Sequence, residues 1–430
     1  MLRDPLFTDA EIDLLFTDER FTRTLLHVEK VLARVEGAAG VIPPEAAHAI
    51  ERTIDALTVD HERLRVGMRK DGVPTIDLVA QIREAVDTPH RAYVHYGATT
   101  QDIIDSALVL QVREALTVLE TRLARVVERL AQLADHERYT LMAGRTHSQH
   151  AQPITFGFKA AGWLAPFLRH HVRLSELKPR LLVIQFGGAV GTLAALGQSG
   201  LVVRTALADA LELGVPPIAW FTARDSLAEF GGWLSLVTGS AAKIAQDIIL
   251  MAQSEVGELQ ESADGGGSSA MAHKHNPILS ETIIAAARTN AGLLSALHGA
   301  LIQEQERATG GWQTEWLTLP HMVGLTGAAL RNLLELLKTM QINRTQMQAN
   351  VTSTYGTMLS EAVEMALAAQ MPRTEAKRLV RDASIIALAE KRHLVEVLKA
   401  ATPVVLDHLR EEAAYLGMAE QFIDQVLNEV

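Results

Sequence analysis

Between Ile103 and Tyr139 the chain has neither proline nor glycine, and Leu116, Leu119, Leu123, Val126, Leu130 and Leu133 recur at alternating spacings of three and four. That is the apolar stripe of an amphipathic helix. At about 1.5 Å per residue it predicts a rod approaching 50 Å, a length typical of long bundles. Similar patterns run over 226–262, 279–307 and 322–340, and long helices of this kind need one another to bury their stripes. The expected breaks carry Gly, Pro or Thr: YGATTQD at 96–102, GRTHSQHAQP at 144–153, LGVPPIAW at 213–220 and the glycines at 265–267. Shorter helical patterns fill the first hundred residues and the tail after Asn350. The pattern therefore predicts an all-α fold of three helical domains: 1–102, a central long-helix bundle over 103–348, and 349–430.

Composition supports helix over sheet: 48% of the 430 residues are hydrophobic, only 5% are aromatic, and Ala, Leu, Glu and Arg dominate the long segments. A net charge of −11 argues against a nucleic-acid partner, which would need clustered Lys and Arg. Any anionic ligand must meet a local cationic site. There is no cysteine, hence no disulfide and no thiolate chemistry, as suits a reducing compartment. Acidic residues interrupt the N-terminus where a signal peptide needs an apolar core, and no uninterrupted apolar run of about 18 residues occurs. The expectation is a soluble cytoplasmic protein with no membrane partner.

Four segments concentrate chemistry. In GGGSSAMAHKHNP, Gly265 to Pro277, three glycines permit positive φ and let backbone N–H groups converge on an anion. Ser268, Ser269, Lys274 and Asn276 add hydroxyl, ammonium and amide donors, although a run of this composition is about as often a flexible linker. In THSQH, His147 and His150 are spaced as metal ligands on one helical face would be, but no third ligand follows at a recognisable spacing. A histidine at such a turn also suits general acid–base work, and in isolation either is more often a surface or capping residue. In HYGATTQD, the donors His95, Thr99 and Thr100 precede a long helix, where capping and carboxylate binding are compatible. Arg307, before a glycine pair, is either a bidentate carboxylate clamp or an ordinary solvated helix end.

Together these segments resemble the fumarase/aspartase superfamily, whose signature loop reads GSSxMPxKxN. Residues 267–276 match it at every named position except Ala272, which stands where the family has proline. HYGATTQD and GRTHSQHAQP are similar to that superfamily's first two conserved regions, in the same order. The resemblance implies a homotetramer with a multi-helix core, whose active sites each draw the three regions from different subunits. It also implies a small di- or tricarboxylate substrate, with no cofactor and no metal. LKPRLLVIQFGGAVGTLAALG, ERATGGWQTEW, EKRHLVEVL and YLGMAEQFID resemble the 3-carboxy-cis,cis-muconate cycloisomerase branch, and Ile76 stands where adenylosuccinate lyases usually place a catalytic histidine. Conversely, His147 and Glu281 resemble the histidine and glutamate that adenylosuccinate lyases pair. A lactonising cycloisomerase is thus the first expectation and a fumarate-forming C–N lyase the second.

Superfamily reactions move a proton on the carbon beside a carboxylate while a C–O or C–N bond forms or breaks at the next carbon. The resemblance assigns Ser268 as the base and Lys274 and Asn276 as stabilisers of the carbanion. His147, oriented by Glu281, falls on the leaving or attacking side, and Thr99, Thr100, Gln149 and Arg307 hold carboxylates. Two other classes compete with this reading. A metal-dependent hydrolase would use His147, His150, His273 or His275, and a non-catalytic helical scaffold would need none of the intact loop residues.

Overall fold

The computed structural model describes residues 4–262, 266–271 and 273–430. The architecture is helical: α1 (Asp18–Ala38), α2 (Thr100–His136), α3 (Phe156–Leu181), α4 (Asp225–Met251), α5 (Ile278–Gly299) and α6 (Gly311–Thr339) are its longest elements up to residue 340. In α2 the predicted stripe is real, since Leu116, Leu119, Leu123, Val126 and Leu130 are all buried. At its end the stripe drifts: Leu133 is half-buried and Ala134 takes the core position, because a straight helix does not keep a strict seven-residue repeat.

Several boundaries differ from the sequence pattern. α2 starts at Thr100 and ends at His136. α4 stops at Met251, because the chain turns at Gly257 (φ 61°) into a short strand, Leu259–Gln260. α5 ends at Gly299, so Arg307 lies in a loop, and α6 begins at Gly311 and tolerates Pro320 within it. The GRTHSQHAQP segment is a β-hairpin, with β1 (Leu141–Thr146) antiparallel to β2 (Gln149–Thr155) and Thr146 paired with Gln149 at its tip. His147 and His150 therefore do not share a helical face, which removes the premise of the two-histidine metal reading.

The chain forms two compact units. The first comprises the described residues of Met1–Thr121, His171–Val237 and Ala286–Ala328, and the second those of Arg122–His170, Thr238–Ala285 and Ala329–Val430. In the first, α1 packs Leu25, Val28 and Leu32 into a core with Ile50, Leu78, Ile103 and Phe186. In the second, Leu359, Val363, Val380, Leu394 and Leu398 form a separate C-terminal core. α4 is long and apolar enough in composition to cross a membrane. It nevertheless buries Phe230, Leu234, Val237, Ala241, Ile244 and Ile248 against protein and carries ion-paired Glu229 and Lys243, the pattern of a bundle helix.

Candidate active site

In the first unit the HYGATTQD turn is built around a buried carboxylate. Asp102, in the first turn of α2, accepts from the backbone N–H of Thr99 at 2.9 Å, Gly187 at 2.7 Å and Gly188 at 2.9 Å. The bond to Thr99 is half of a capping box. Gly188 has φ 69°, and a Cβ there would lie 3.0 Å from the Gly97 carbonyl, so the two loops approach at backbone distance. Burial pushes the Asp102 carboxyl up to about 7 against the opposing pull of its three N–H donors.

The Asp102 N–H in turn bonds the Thr99 carbonyl at 3.0 Å, so the Thr99 hydroxyl takes no part in the cap. Arg307 Nη1 donates to Thr99 Oγ1 at 2.9 Å, Nη2 donates to the Ala189 carbonyl at 3.1 Å, and the guanidinium stacks 5.1 Å from the Phe221 ring centroid. Arg307 is thus a held cation rather than a solvated helix end. Thr100 opens α2 beside it, half-buried. His95 sits earlier on the same turn with a left-handed φ of 61° and its Nδ1 2.6 Å from Glu29 Oε1.

Beneath the turn lies an ionic triad that sequence inspection did not find. Arg224 bonds Asp105 at 2.6 and 3.0 Å and Glu315 at 2.5 and 2.9 Å, all three essentially fully buried. Trp312 Nε1 donates to Asp105 at 3.0 Å, and Trp220 stacks on the guanidinium. Burial pushes the Glu315 carboxyl up despite the opposing pull of Arg224.

In the second unit, His147 (φ 49°) and Ser148 (φ 62°) form the two-residue tip of the hairpin. Positive φ at both positions is what such a tip requires, and for residues other than glycine or asparagine it is strained. The strain is held from below: Arg145 of β1 makes a two-pronged bond to buried Glu258 at 2.7 and 2.8 Å, and Asn350 donates to the same carboxylate at 2.9 Å. Gln149 follows the tip on β2, exposed like His147. Arg145 also helps keep the His150 pKa low, after burial.

The signature loop is pinned at its base. Asn276 N–H donates to the Gly266 carbonyl at 2.7 Å, and Gly267 bridges to His275. Gly266 has φ 72°, and a Cβ on it would meet the Asn276 carbonyl oxygen at 2.1 Å, so only glycine fits there. Within the loop, Ser268 Oγ accepts from the backbone N–H groups of Ala270 at 3.3 Å and Met271 at 3.1 Å. Gly265 and Ala272 lie outside the described residues. After the loop, Glu261 caps the start of α5, accepting from Leu279 N–H at 3.0 Å and Ser280 N–H at 2.8 Å.

Lys274, Asn276 and Glu281 line one cavity of about 830 Å³, with His273 and His275 beside them. Ser268, His147 and Gln149 are not among its lining residues. Among the described residues no hydrogen bond joins His147 to Glu281. The structure thus places one group of candidates (His95, Thr99, Thr100, Arg307) in the first unit and the other in the second, where only part of the set shares a cavity.

Residues 8–292 match the family model described as Lyase, and residues 356–426 match that of the adenylosuccinate lyase C-terminus. The chain is 42% identical to a 3-carboxy-cis,cis-muconate cycloisomerase of Pseudomonas aeruginosa, over 100% of this chain and 96% of that relative. The chain belongs to the fumarase/aspartase superfamily. Among solved structures it resembles the 3-carboxy-cis,cis-muconate lactonizing enzyme of Pseudomonas putida, with a TM-score of 0.93 and 39% identity over 100% of this chain and 98% of that one. It also resembles a fumarate lyase from Mesorhizobium sp. BNC1, with a TM-score of 0.92 and 39% identity over 98% of each. Membership makes the chain an enzyme of this lyase superfamily, and accounts for the order of the three motifs.

Proposed function

We propose that the protein is a 3-carboxy-cis,cis-muconate cycloisomerase, interconverting that tricarboxylate and 4-carboxymuconolactone. The observation that carries the reading is the signature loop itself: a pinned turn in which Ser268 Oγ already accepts two backbone N–H groups. Both donors point at the oxygen on which negative charge develops when a serine acts as base, and hydrogen bonds to a charged form favour it. Full-length likeness to cycloisomerases supports the choice of branch.

In the delactonising direction, Ser268 removes the proton on the carbon beside a carboxylate, the electron pair passes into that carboxylate as an aci-dianion, and the ring C–O bond breaks. In the lactonising direction a carboxylate oxygen adds to the alkene, and Ser268 returns a proton to the carbanion. Lys274 and Asn276 supply charge and a donor for the dianion, the largest electrostatic demand of the reaction. His147 and Glu281 act on the carboxylate that closes the ring, and Gln149, Thr99, Thr100, Arg307 and His95 bind the remaining carboxylates. The chemistry assigns no step to a cofactor or metal.

The proposal includes a cytoplasmic homotetramer with shared sites and the division into domains 1–102, 103–348 and 349–430. The absence of His147 from the cavity that Lys274 and Glu281 line supports sites completed by other subunits. A fumarate-forming lyase is the second reading, favoured by the lyase-like His147 and Glu281 and by likeness to a fumarate lyase. Spectrophotometric assay of the purified protein with 3-carboxymuconate, adenylosuccinate and argininosuccinate separates the two. Turnover of the first alone is expected, and turnover of only a succinyl adduct would overturn the proposal.

A further inference from the structure

His95 carries three marks that a merely structural histidine does not need. Its backbone is left-handed at φ 61°, a conformation costly for a residue other than glycine and concentrated at functional sites. Its side chain is largely buried, and its Nδ1 lies 2.6 Å from Glu29 Oε1, a carboxylate only 2% exposed. His95 also stands on the turn that carries Thr99 and the Arg307 clamp.

We infer that Glu29 is a positioning residue: from α1 it fixes the Nδ1 proton and orientation of His95, so that His95 serves as a buried imidazolium for one carboxylate of a polycarboxylate substrate. His95 Nδ1–H donates to Glu29 in a charge-assisted bond, which leaves Nε2–H as the free donor of the cationic ring. A second carboxylate then meets Arg307. This deepens the proposed reading and rests on its assignment of the turn to substrate carboxylates.

The charges facing His95 come from three elements: Glu29 on α1, Asp102 on α2, and Arg83 on the helix Thr75–Ala85. Burial alone would pull the imidazole pKa down, but Glu29 and then Asp102 outweigh burial and Arg83, and the net direction is up. The sign follows. The imidazolium is present below this raised value and is lost as pH rises through it. Behind Glu29, two turns along α1, Glu36 is fully buried, and neither carboxyl oxygen has a hydrogen-bond partner among the described residues. Burial and then Glu29 push the Glu36 carboxyl up to about 9, so Glu36 is neutral at pH 7 and adds no charge behind Glu29.

The test uses the full-length protein and an unreactive tricarboxylate, tricarballylate, titrated calorimetrically between pH 6.5 and 9.5. Wild-type affinity is expected to fall at least tenfold toward the alkaline end. Glu29→Gln should bind at least tenfold more weakly at pH 7 and lose affinity at a lower pH, because burial of His95 is then less opposed. His95→Asn, which tolerates the left-handed backbone, should bind weakly and show no fall above about pH 8, where Asp102 is already ionised, and it serves if Glu29→Gln does not fold. A purely structural role for Glu29 would lower Tm without moving the affinity or its pH profile. That result, or absence of saturable binding to the wild-type protein, overturns the inference. Because no turnover is needed, a protein inactive on 3-carboxymuconate that still shows the Glu29-dependent shift would sink the proposed function alone.

Discussion

Arg307 and Thr99, 208 positions apart in the chain, meet at 2.9 Å between guanidinium and hydroxyl. The hydroxyl is available because the Asp102 N–H bonds the Thr99 carbonyl at 3.0 Å rather than Oγ1, so a helix cap and a ligand clamp are made from one turn. Replacing Arg307 with Lys removes the planar fork and its stacking on Phe221. A charged hydrogen bond contributes about 1.5–3 kcal/mol, which corresponds to roughly a 10- to 150-fold rise in KM with kcat changed far less. Steady-state kinetics check this, and a fall in kcat at constant KM would contradict a binding role.

Ser268 differs, because its proposed work is done in the transition state. Ser268→Ala should lower kcat by about 10²–10⁴-fold with little change in substrate affinity. The two N–H groups that now meet Oγ would be left to water, so the loop should keep its fold, as melting curves can confirm. Retention of activity within about tenfold would reject Ser268 as base.

Much of this was legible because it is local. The α2 stripe, the glycine loop and the threonines that open α2 each lie within a short window of sequence. What was not legible depends on distance. Nothing near Glu29 announces His95, 66 positions away, and nothing near Arg224 announces Asp105 and Glu315, 119 and 91 positions away. A buried charge looks like a solvated one until its partners are known. The hairpin at 141–155 was hidden differently, since its tip holds His147 and Ser148 at positive φ rather than the Asn-Gly pair that signals such a turn. There the sequence departs from local preference, and Arg145 bonded to Glu258 compensates from outside the segment.

The Arg224 triad carries a stability prediction. Arg224→Met leaves Asp105 and Glu315 buried without their counter-ion, and breaking a buried pair in this way costs about 3–5 kcal/mol. Urea denaturation should show the midpoint fall by a corresponding amount. Changing all three residues together to apolar ones of similar volume should recover most of that loss, whereas a triple variant as unstable as Arg224→Met would show that the triad itself supplies the stability.

Glu36 gives the opposite sign. Its two oxygens are buried with no hydrogen-bond partner among the described residues, and an unsatisfied buried polar group costs about 1–3 kcal/mol by mutational measures. Glu36→Met should therefore stabilise the protein. The effect should also depend on pH, because the folded-state value near 9 lies above the ordinary value of 4.5. A carboxyl raised in this way contributes most to the folded state below about 4.5, and that contribution is lost as pH rises toward 9. The wild-type protein should thus lose stability relative to Glu36→Met across that window, and the gap should level off above it. Urea midpoints of both proteins at pH 6, 7.5, 9 and 10 measure the gap directly. A gap that is constant over this range would mean that Glu36 is not held neutral in the fold.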